Sequence, residues 1–149
     1  MPAQSHKSND ETQIRALVAQ WANAMRTKNL DAVMSAYAPG AMTFDLAPPL
    51  QYDTVALRQE LAGWFPGFKG PIGYEISDDL DIAVSGDVAF SRSLDRLGGK
   101  RHNGEEFEIW VRVTMAFRKI GNAWKVAHVH TSVPFYMDGS FKAAVDLVP

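Results

Sequence analysis

The sequence predicts an α+β fold in which three N-terminal helices pack on a curved antiparallel sheet. Two observations support this prediction: apolar residues recur at helical spacing in the first part of the chain, and they alternate with polar residues in the second part. The period changes after Pro66-Gly67, and helices followed by a meander of strands are typical of α+β proteins. At 149 residues and 46% hydrophobic composition, the chain is expected to form one domain around one core.

Three helices are expected in the front half of the chain. The first follows the helix-start pattern Ser8-x-x-Glu11, and its apolar positions are Ile14, Leu17, Val18, Trp21, Ala22 and Met25. The second follows Asn29, a good N-cap residue, and stops at Pro39-Gly40. The third stops at Pro66-Gly67, and its apolar positions are Leu57, Leu61, Trp64 and Phe65.

Extended segments are expected between and after these helices. A short strand over residues 41–46 separates the second helix from the third. The alternating segments 74–84, 88–94, 105–118 and 124–133 are separated by the turns Ser85-Gly86-Asp87, Asn103-Gly104 and Gly121-Asn122, and they predict a four-stranded antiparallel meander.

Composition and charge exclude several classes of function. The formal net charge is −2 and the pI is about 6.0, so a broad cationic face for nucleic acid is not expected. The absence of cysteine excludes disulfides and thiolate metal sites. The chain shows neither a signal peptide nor a run of about 18 apolar residues, and we therefore expect a cytoplasmic protein that does not bind membranes.

The alternating ending carries two histidines, His128 and His130, two positions apart. Residues at this spacing on a strand share one face. Two imidazoles supply only two ligands where zinc takes at least three from protein, and no third ligand is fixed nearby by spacing. We therefore expect no metal and no other cofactor.

Two segments near the end of the chain resemble a known superfamily. They are R-V-T-M-A-F-R-K at residues 112–119 and W-K-V-A-H-V-H-T-S-V-P at residues 124–134. They are similar to the SnoaL-like branch of the nuclear transport factor 2-like (cystatin-like) superfamily. The second is also similar to the W-x-x-x-H-x-H-x-S ending of the calcium/calmodulin-dependent kinase II association domain. The resemblance covers about residues 10–135 and leaves 136–149 as a tail.

This resemblance implies a cone-shaped fold with a deep pocket between the first helix and the concave face of the sheet, and a dimer formed through the convex face. It implies that Val129 and Thr131 face the pocket. Trp124 and Val126 share the parity of the histidines and would lie with them on the outer face. His128 and His130 would then lie with Trp110 and Arg112 at or near a homodimer interface. A one-residue shift of register would turn the histidines inward instead.

Asp45 is the main candidate for chemistry. The resemblance implies that it matches the general base of the ketosteroid isomerases, without a gap over residues 29–45. A carboxylate in an apolar pocket has its charged form disfavoured, and the resulting rise in pKa makes it a better base near neutral pH. The alternative is that Asp45 bonds only to the backbone of the loop before Pro48.

Other parts of an isomerase site are missing. Trp21 stands where that family carries a tyrosine on its first helix, and the second acid of the family falls near Thr114 or Met115. Indole can donate a hydrogen bond but does not titrate. Tyr37 is expected either in the pocket or as a core residue of the second helix.

The predicted pocket suits a small hydrophobic or aromatic organic ligand. Its expected lining residues are Trp21, Tyr37, Trp64, Phe65, Val113, Met115, Val129 and Thr131. Two functions remain open. The chain could be a cofactor-independent isomerase, cyclase or dehydratase that uses Asp45 as a proton-transfer base, or a non-catalytic module that binds a ligand or assembles with other copies.

Overall fold

A computed structural model describes residues 2–149, with side chains described from Asn9 onward. The helices are α1 (Pro2–Arg26), α2 (Leu30–Ser35) and α3 (Thr54–Trp64), followed by a 3₁₀ turn at Phe65–Gly67. Asn29 caps α2 as predicted, because its side chain accepts a hydrogen bond from the Ala32 N–H at 3.1 Å. Asp53 caps α3 in the same way.

The start of α1 differs from the prediction. The backbone is helical from Pro2, so Ser8 lies inside the helix and does not begin it. The side chain of Ser8 lies outside the described residues. The apolar stripe of α1 is confirmed, since Ile14, Val18 and Trp21 are buried in the core.

Six strands form a curved sheet, which confirms the α+β class. They are β1 (Tyr37–Phe44), β2 (Gly73–Ile76), β3 (Asp81–Ser85), β4 (Val88–Lys100), β5 (Glu106–Ile120) and β6 (Ala123–Ser132). The order along the sheet is β1-β6-β5-β4-β2, and β3 also pairs with β4. The β1–β6 pair is parallel, and the other pairs are antiparallel.

Two strand predictions are corrected by this topology. Residues 74–84 form β2 and β3 rather than one strand, because the chain turns at Asp78-Asp79 and both pieces pair with β4. The short strand between the helices begins at Tyr37 rather than at Ala41. Tyr37 therefore belongs to the sheet and is not a residue of α2.

A β-bulge interrupts β6. Phe117 of β5 pairs with Val126, whereas the preceding residue Ala116 pairs with His128. Ala127 is therefore an extra residue on β6. A bulge of this kind shifts the alternation of side chains by one position. The core-facing residues therefore have even numbers before the bulge and odd numbers after it.

The bulge decides which side chains of β6 are buried. Trp124 and Val126 precede it and are 5% and 0% exposed, which shows that the prediction of an outward position for them is wrong. Val129 follows the bulge and is buried, whereas His130 is exposed. His128 and His130 thus lie on the outer face of the sheet, as predicted.

The remaining contacts close α1 over the concave face. Asp10 of α1 accepts hydrogen bonds from the Lys119 ammonium and the Trp124 indole, both at 3.0 Å.

Residues 133–149 form an irregular tail in which Phe135 and Ala143 make an isolated bridge. Among the described residues, no helix is both long enough and apolar enough to span a membrane.

Candidate functional site

A cavity of about 140 Å³ lies between α1, α3 and the concave side of the sheet. Most of its wall is apolar, and the exceptions that carry polar atoms are two phenols, two threonines, two carboxylates and two indoles. The lining residues are Trp21, Met25, Tyr37, Thr43, Asp45, Leu46, Ala47, Leu57, Glu60, Leu61, Trp64, Tyr74, Leu97, Val111, Val129 and Thr131. A mostly apolar cavity with a few convergent polar groups is the usual form of a small-molecule site.

The predicted lining is only partly found on this wall. Five of the eight expected lining residues line the cavity, and so does the predicted base Asp45: the five are Trp21, Tyr37, Trp64, Val129 and Thr131. Phe65, Val113 and Met115 do not. Their side chains are buried in the surrounding core, where neighbouring side chains fill the space, so their expected position on the pocket wall is corrected.

Asp45 follows the last residue of β1, which brings its carboxylate to the edge of the cavity. The backbone N–H of Leu46 donates a hydrogen bond to Asp45 Oδ1 at 2.7 Å. Burial raises the pKa of Asp45, and the bond from Leu46 offsets part of this rise. The backbone contact that we considered as an alternative therefore exists, and the carboxylate also reaches the cavity.

An open groove adjoins the cavity. Asp45, Leu46, Ala47 and Thr131 line both, so the cavity and the groove meet at these four residues. The other lining residues of the groove come from the loop at 44–51 and from residues 130–133. Asp45 thus lies where a ligand in the cavity would approach the outside of the protein.

Tyr37 and Trp21 form a hydrogen-bonded pair on the same wall as Asp45. The indole N–H of Trp21 donates to the Tyr37 hydroxyl oxygen at 3.3 Å. Burial raises the pKa of Tyr37, bonds from Trp21 and Thr43 act against this rise, and the negative charge of Asp45 adds to it. The Asp45 carboxylate is therefore close enough to influence the phenol, and Tyr37 stays protonated near neutral pH.

A second pair of polar residues was not found from the sequence. Tyr74 of β2 lines the cavity, and its hydroxyl donates to Asp95 Oδ2 at 2.5 Å. The Ser93 hydroxyl donates to Asp95 Oδ1 at 2.6 Å. The alternation of β4 contains the signal, because Ala89, Ser91, Ser93, Asp95 and Leu97 all point inward. An acidic residue on that inward face was detectable by parity.

Burial governs the ionisation of this second pair. Burial raises the pKa of Asp95, and the bonds from Ser93 and Tyr74 act against the rise. Burial also raises the pKa of Tyr74, and the nearby negative charge of Asp95 raises it further. Tyr74 is therefore a neutral phenol that donates its proton to Asp95.

The two histidines lie outside the cavity. Nδ1 of His128 is 2.6 Å from the carbonyl oxygen of Met42, and the ring of Phe44 contacts both imidazoles, with centroids at 4.5 and 5.4 Å. His130 lines the groove. Among residues with described side chains, no three His, Cys, Asp or Glu residues cluster in a way that could hold a metal ion.

The fold and this cavity define a protein of the cystatin-like cone type. The chain belongs to the SnoaL-like domain family, whose model matches residues 14–136. One curated protein that it matches is the dynein-1-alpha heavy chain of the flagellar inner arm I1 complex from Chlamydomonas reinhardtii. That match has 35% identity over 72 residues, which is 47% of this chain and 2% of that protein.

Solved structures share the fold over most of the chain. A nuclear transport factor 2-like protein of unknown function from Pseudomonas putida superposes with a TM-score of 0.85 at 28% identity, covering 95% of this chain and 98% of that one. A ketosteroid isomerase-like protein from Erwinia carotovora atroseptica gives 0.69 at 20% identity, covering 81% and 93%. The association domain of calcium/calmodulin-dependent kinase II from Caenorhabditis elegans gives 0.68 at 13% identity, covering 85% and 98%. The latter two likenesses concern the fold alone.

Proposed function

We propose that this chain is a cofactor-independent enzyme that moves a proton on a small cyclic substrate, as an isomerase, cyclase or dehydratase does, with Asp45 as the base. The observation that carries the proposal is that Asp45 and Tyr37 both line one mostly apolar cavity, where the charge of Asp45 acts on the Tyr37 phenol. A base and a hydrogen-bond donor on one cavity wall are the two groups that proton abstraction next to a carbonyl requires.

The size of the cavity supports a ligand with a single ring. At about 140 Å³, it is close to an engineered cavity of about 150 Å³ that binds benzene. Pockets for drug-sized ligands start at about 300 Å³. We therefore propose a monocyclic substrate, with any longer substituent leaving the cavity along the groove beside Asp45.

The chemistry would proceed through an enolate. The Asp45 carboxylate takes a proton from the carbon next to the carbonyl group, and the C–H electron pair moves onto the carbonyl oxygen. Tyr37 donates a hydrogen bond to that oxygen while its charge develops. In a ketone with a double bond one carbon further along the ring, the enolate is conjugated with that double bond. Protonated Asp45 then returns the proton to the far carbon of the double bond, so that the double bond moves next to the carbonyl group and no added reactant is needed.

The test is the isomerisation of 3-cyclohexen-1-one to 2-cyclohexen-1-one, followed by the ultraviolet absorbance of the conjugated product. We expect catalysis by the native protein and a loss of about 100-fold or more in Asp45→Asn, because a general base contributes about 10²- to 10⁴-fold. Asp78→Asn is the control, since Asp78 is exposed in a turn away from the cavity. Equal rates for the native protein and Asp45→Asn would contradict the proposal.

A second candidate function is assembly between copies of the chain. Phe44, between the two outer-face histidines, is 38% exposed, and large exposed apolar groups often mark protein interfaces. We propose a homodimer through the outer face of the sheet, with Trp110, Arg112, His128 and His130 at or near the interface. Without turnover, the cavity would then serve ligand binding alone.

Light scattering at micromolar concentration tests the dimer. We expect twice the mass of the chain for the native protein and a shift toward the monomer in Phe44→Asp, which places a charge in the proposed interface. Val55→Asp is the matched control, because Val55 is also an exposed apolar residue but lies on α3 and not on the sheet. A monomer mass for the native protein would exclude the dimer.

A further inference from the structure

We infer that Asp95 is a positioning residue that fixes the proton of Tyr74, so that the Tyr74 oxygen is a hydrogen-bond acceptor and selects a ring ligand bearing a hydroxyl group. The inference deepens the proposed function and rests on it in one respect, namely that the cavity holds a small ring. It adds a second recognition element to the cavity that holds the proposed base.

The direction of the hydrogen bonds carries the argument. Asp95 is 2% exposed, and its two oxygens receive the hydroxyl protons of Tyr74 at 2.5 Å and Ser93 at 2.6 Å. A carboxylate only accepts, and a phenol has a single proton to donate. Once that proton points to Asp95, the Tyr74 oxygen has only lone pairs left for the cavity.

The position of the phenol is fixed from two further sides. The indole of Trp21 packs edge-on against the Tyr74 ring, with centroids 5.2 Å apart and planes at 89°. The guanidinium of Arg26 donates to the Tyr74 carbonyl oxygen at 2.5 Å. Strand β2 is thereby held against α1, and the phenol oxygen cannot move away without breaking these contacts.

Asp95 itself does not line the cavity, whereas Tyr74 does. Asp95 therefore acts on a ligand only through the orientation of the Tyr74 hydroxyl. None of the ion pairs between residues with described side chains involves Asp95. The hydrogen bonds to its carboxylate come from the hydroxyls of Tyr74 and Ser93. Its effect on the cavity is to determine the polarity of one point on the wall.

Tyr37 provides the opposite polarity. Its oxygen accepts from the Trp21 indole at 3.3 Å, which leaves its own proton available to donate. The wall thus contains one phenol that gives a hydrogen bond and one that receives it. A ring with a carbonyl group and a hydroxyl group satisfies both, and we therefore assign the ligand to hydroxylated cyclic ketones or hydroxylated aromatic carbonyl compounds.

The experiment compares two probes of nearly equal size, 4-fluorophenol and 4-fluorotoluene, by ¹⁹F NMR titration of the full chain. In the native protein, 4-fluorophenol is expected to bind about tenfold more tightly, because one net hydrogen bond is worth about 1.4 kcal/mol, or tenfold in affinity. In Tyr74→Phe this preference should fall to about threefold or less.

Asp95→Asn tests the positioning role. An amide can donate as well as accept, so the Tyr74 proton is no longer fixed and the phenol can turn toward the cavity. We expect a smaller preference for 4-fluorophenol and tighter binding of the acceptor probe 4-fluorobenzaldehyde. A role of Asp95 in stability alone would weaken all three probes equally. That result would overturn the inference.

Asp45 is the competing acceptor in the same cavity. If Asp45→Asn loses the hydroxyl preference while Tyr74→Phe keeps it, the hydroxyl group of the ligand donates its hydrogen bond to Asp45 and not to Tyr74, and the inference is wrong. The lack of any hydroxyl preference in the native protein would overturn it as well. Circular dichroism of each variant verifies that the fold is retained, and Ser91→Ala provides a conservative change at a buried position of the same strand.

The proposed function can fail independently. If 3-cyclohexen-1-one is not isomerised but the hydroxyl preference is present and depends on Tyr74, the cavity is a binding site with the assigned specificity. If isomerisation depends on Asp45 but no hydroxyl preference is found, the proposed base stands and the role of Asp95 is rejected.

Discussion

Two carboxylate–phenol pairs lie at the cavity, one with its carboxylate on the wall and the other with its carboxylate behind the phenol, and they differ in how the carboxylate is satisfied. We call Tyr37 and Asp45 the front wall and Tyr74 and Asp95 the back wall. On the front wall, Asp45 receives one backbone hydrogen bond, from Leu46, and borders an open groove. On the back wall, Asp95 receives two hydroxyl protons and is almost completely enclosed.

The comparison shows that residue type and burial do not by themselves identify a base. Burial is the largest cause of a raised pKa for both Asp45 and Asp95. The difference lies in the remaining lone pairs: those of Asp95 are directed at donors of the protein, whereas Asp45 has capacity left for a ligand. A carboxylate with free lone pairs at a cavity wall can accept a proton, and one with two fixed donors orients its neighbours.

The largest expected effect is a difference in the free energy of unfolding between variants of the two carboxylates. Asp95→Ala leaves two buried hydroxyls without their acceptor, and each such group costs about 1–3 kcal/mol. We expect the free energy of unfolding to fall by about 2–4 kcal/mol, whereas Asp45→Ala should change it by about 1 kcal/mol or less. Urea denaturation followed by tryptophan fluorescence measures both.

A conservative variant separates loss of the bonds from loss of volume. Asp95→Asn keeps the shape of the side chain and can still accept one of the two hydroxyl protons. Its destabilisation should therefore lie between those of the native protein and Asp95→Ala. Equal destabilisation by Asp45→Ala and Asp95→Ala would show that the two walls do not differ in the way described.

A smaller effect is expected in the pH dependence of stability. The folded-state pKa of Asp45 is raised by burial, so the native state holds this proton more tightly than the unfolded chain. This contribution to stability is present below the ordinary carboxyl pKa of about 3.9, and it is lost as pH rises through the raised folded pKa. Asp45→Asn removes the titrating group and should flatten the decline.

The measurement is the urea midpoint at intervals from pH 3.5 to pH 7.5 for the native protein and Asp45→Asn. The catalytic rate should follow the opposite course, because the base must be ionised: activity increases as pH rises through the same pKa. An Asp45→Asn profile that runs parallel to the native profile across this range would indicate that the carboxylate is solvated and not desolvated at the cavity.

Asp45 of the front wall could be predicted from the sequence, whereas Tyr37 was left between the pocket and the core of α2, and the back wall was missed. Asp45 follows a short strand with apolar neighbours, and its match to a family motif has no gap, so a local pattern was sufficient. Asp95 lies in a strand where Ser91, Ser93 and Asp95 share a face with Ala89 and Leu97. The parity of β4 contains the signal, but the serines on this face made it look less apolar than the core face of a typical strand, so it was not identified as buried.

The ending of the chain shows a different limit. Trp124, Val126, His128 and His130 alternate without interruption in the sequence, which predicts one common face. The extra residue Ala127 divides them, with the first two buried and the histidines outside. No glycine or proline marks the bulge, because pairing with β5 decides it and not local backbone preference. The outward facing of the two histidines agrees with the prediction although part of its premise was wrong, and their place at a dimer interface stays a prediction.

The smallest expected effect tests how completely Asp95 is satisfied. Ser93→Ala removes one of its two hydroxyl donors and should lower the free energy of unfolding by about 1 kcal/mol near neutral pH. Because the Ser93 bond lowers the pKa of Asp95, its loss should raise that pKa further. The loss in free energy of unfolding should therefore shrink in acid, where Asp95 is protonated in both proteins.

The preference for 4-fluorophenol should persist in Ser93→Ala, since Tyr74 keeps its acceptor. Ser91→Ala, at a neighbouring inward position of the same strand, should show no comparable pH dependence. If both serine variants gave the same pH profile, Ser93 would contribute only packing, and Asp95 would depend on Tyr74 alone.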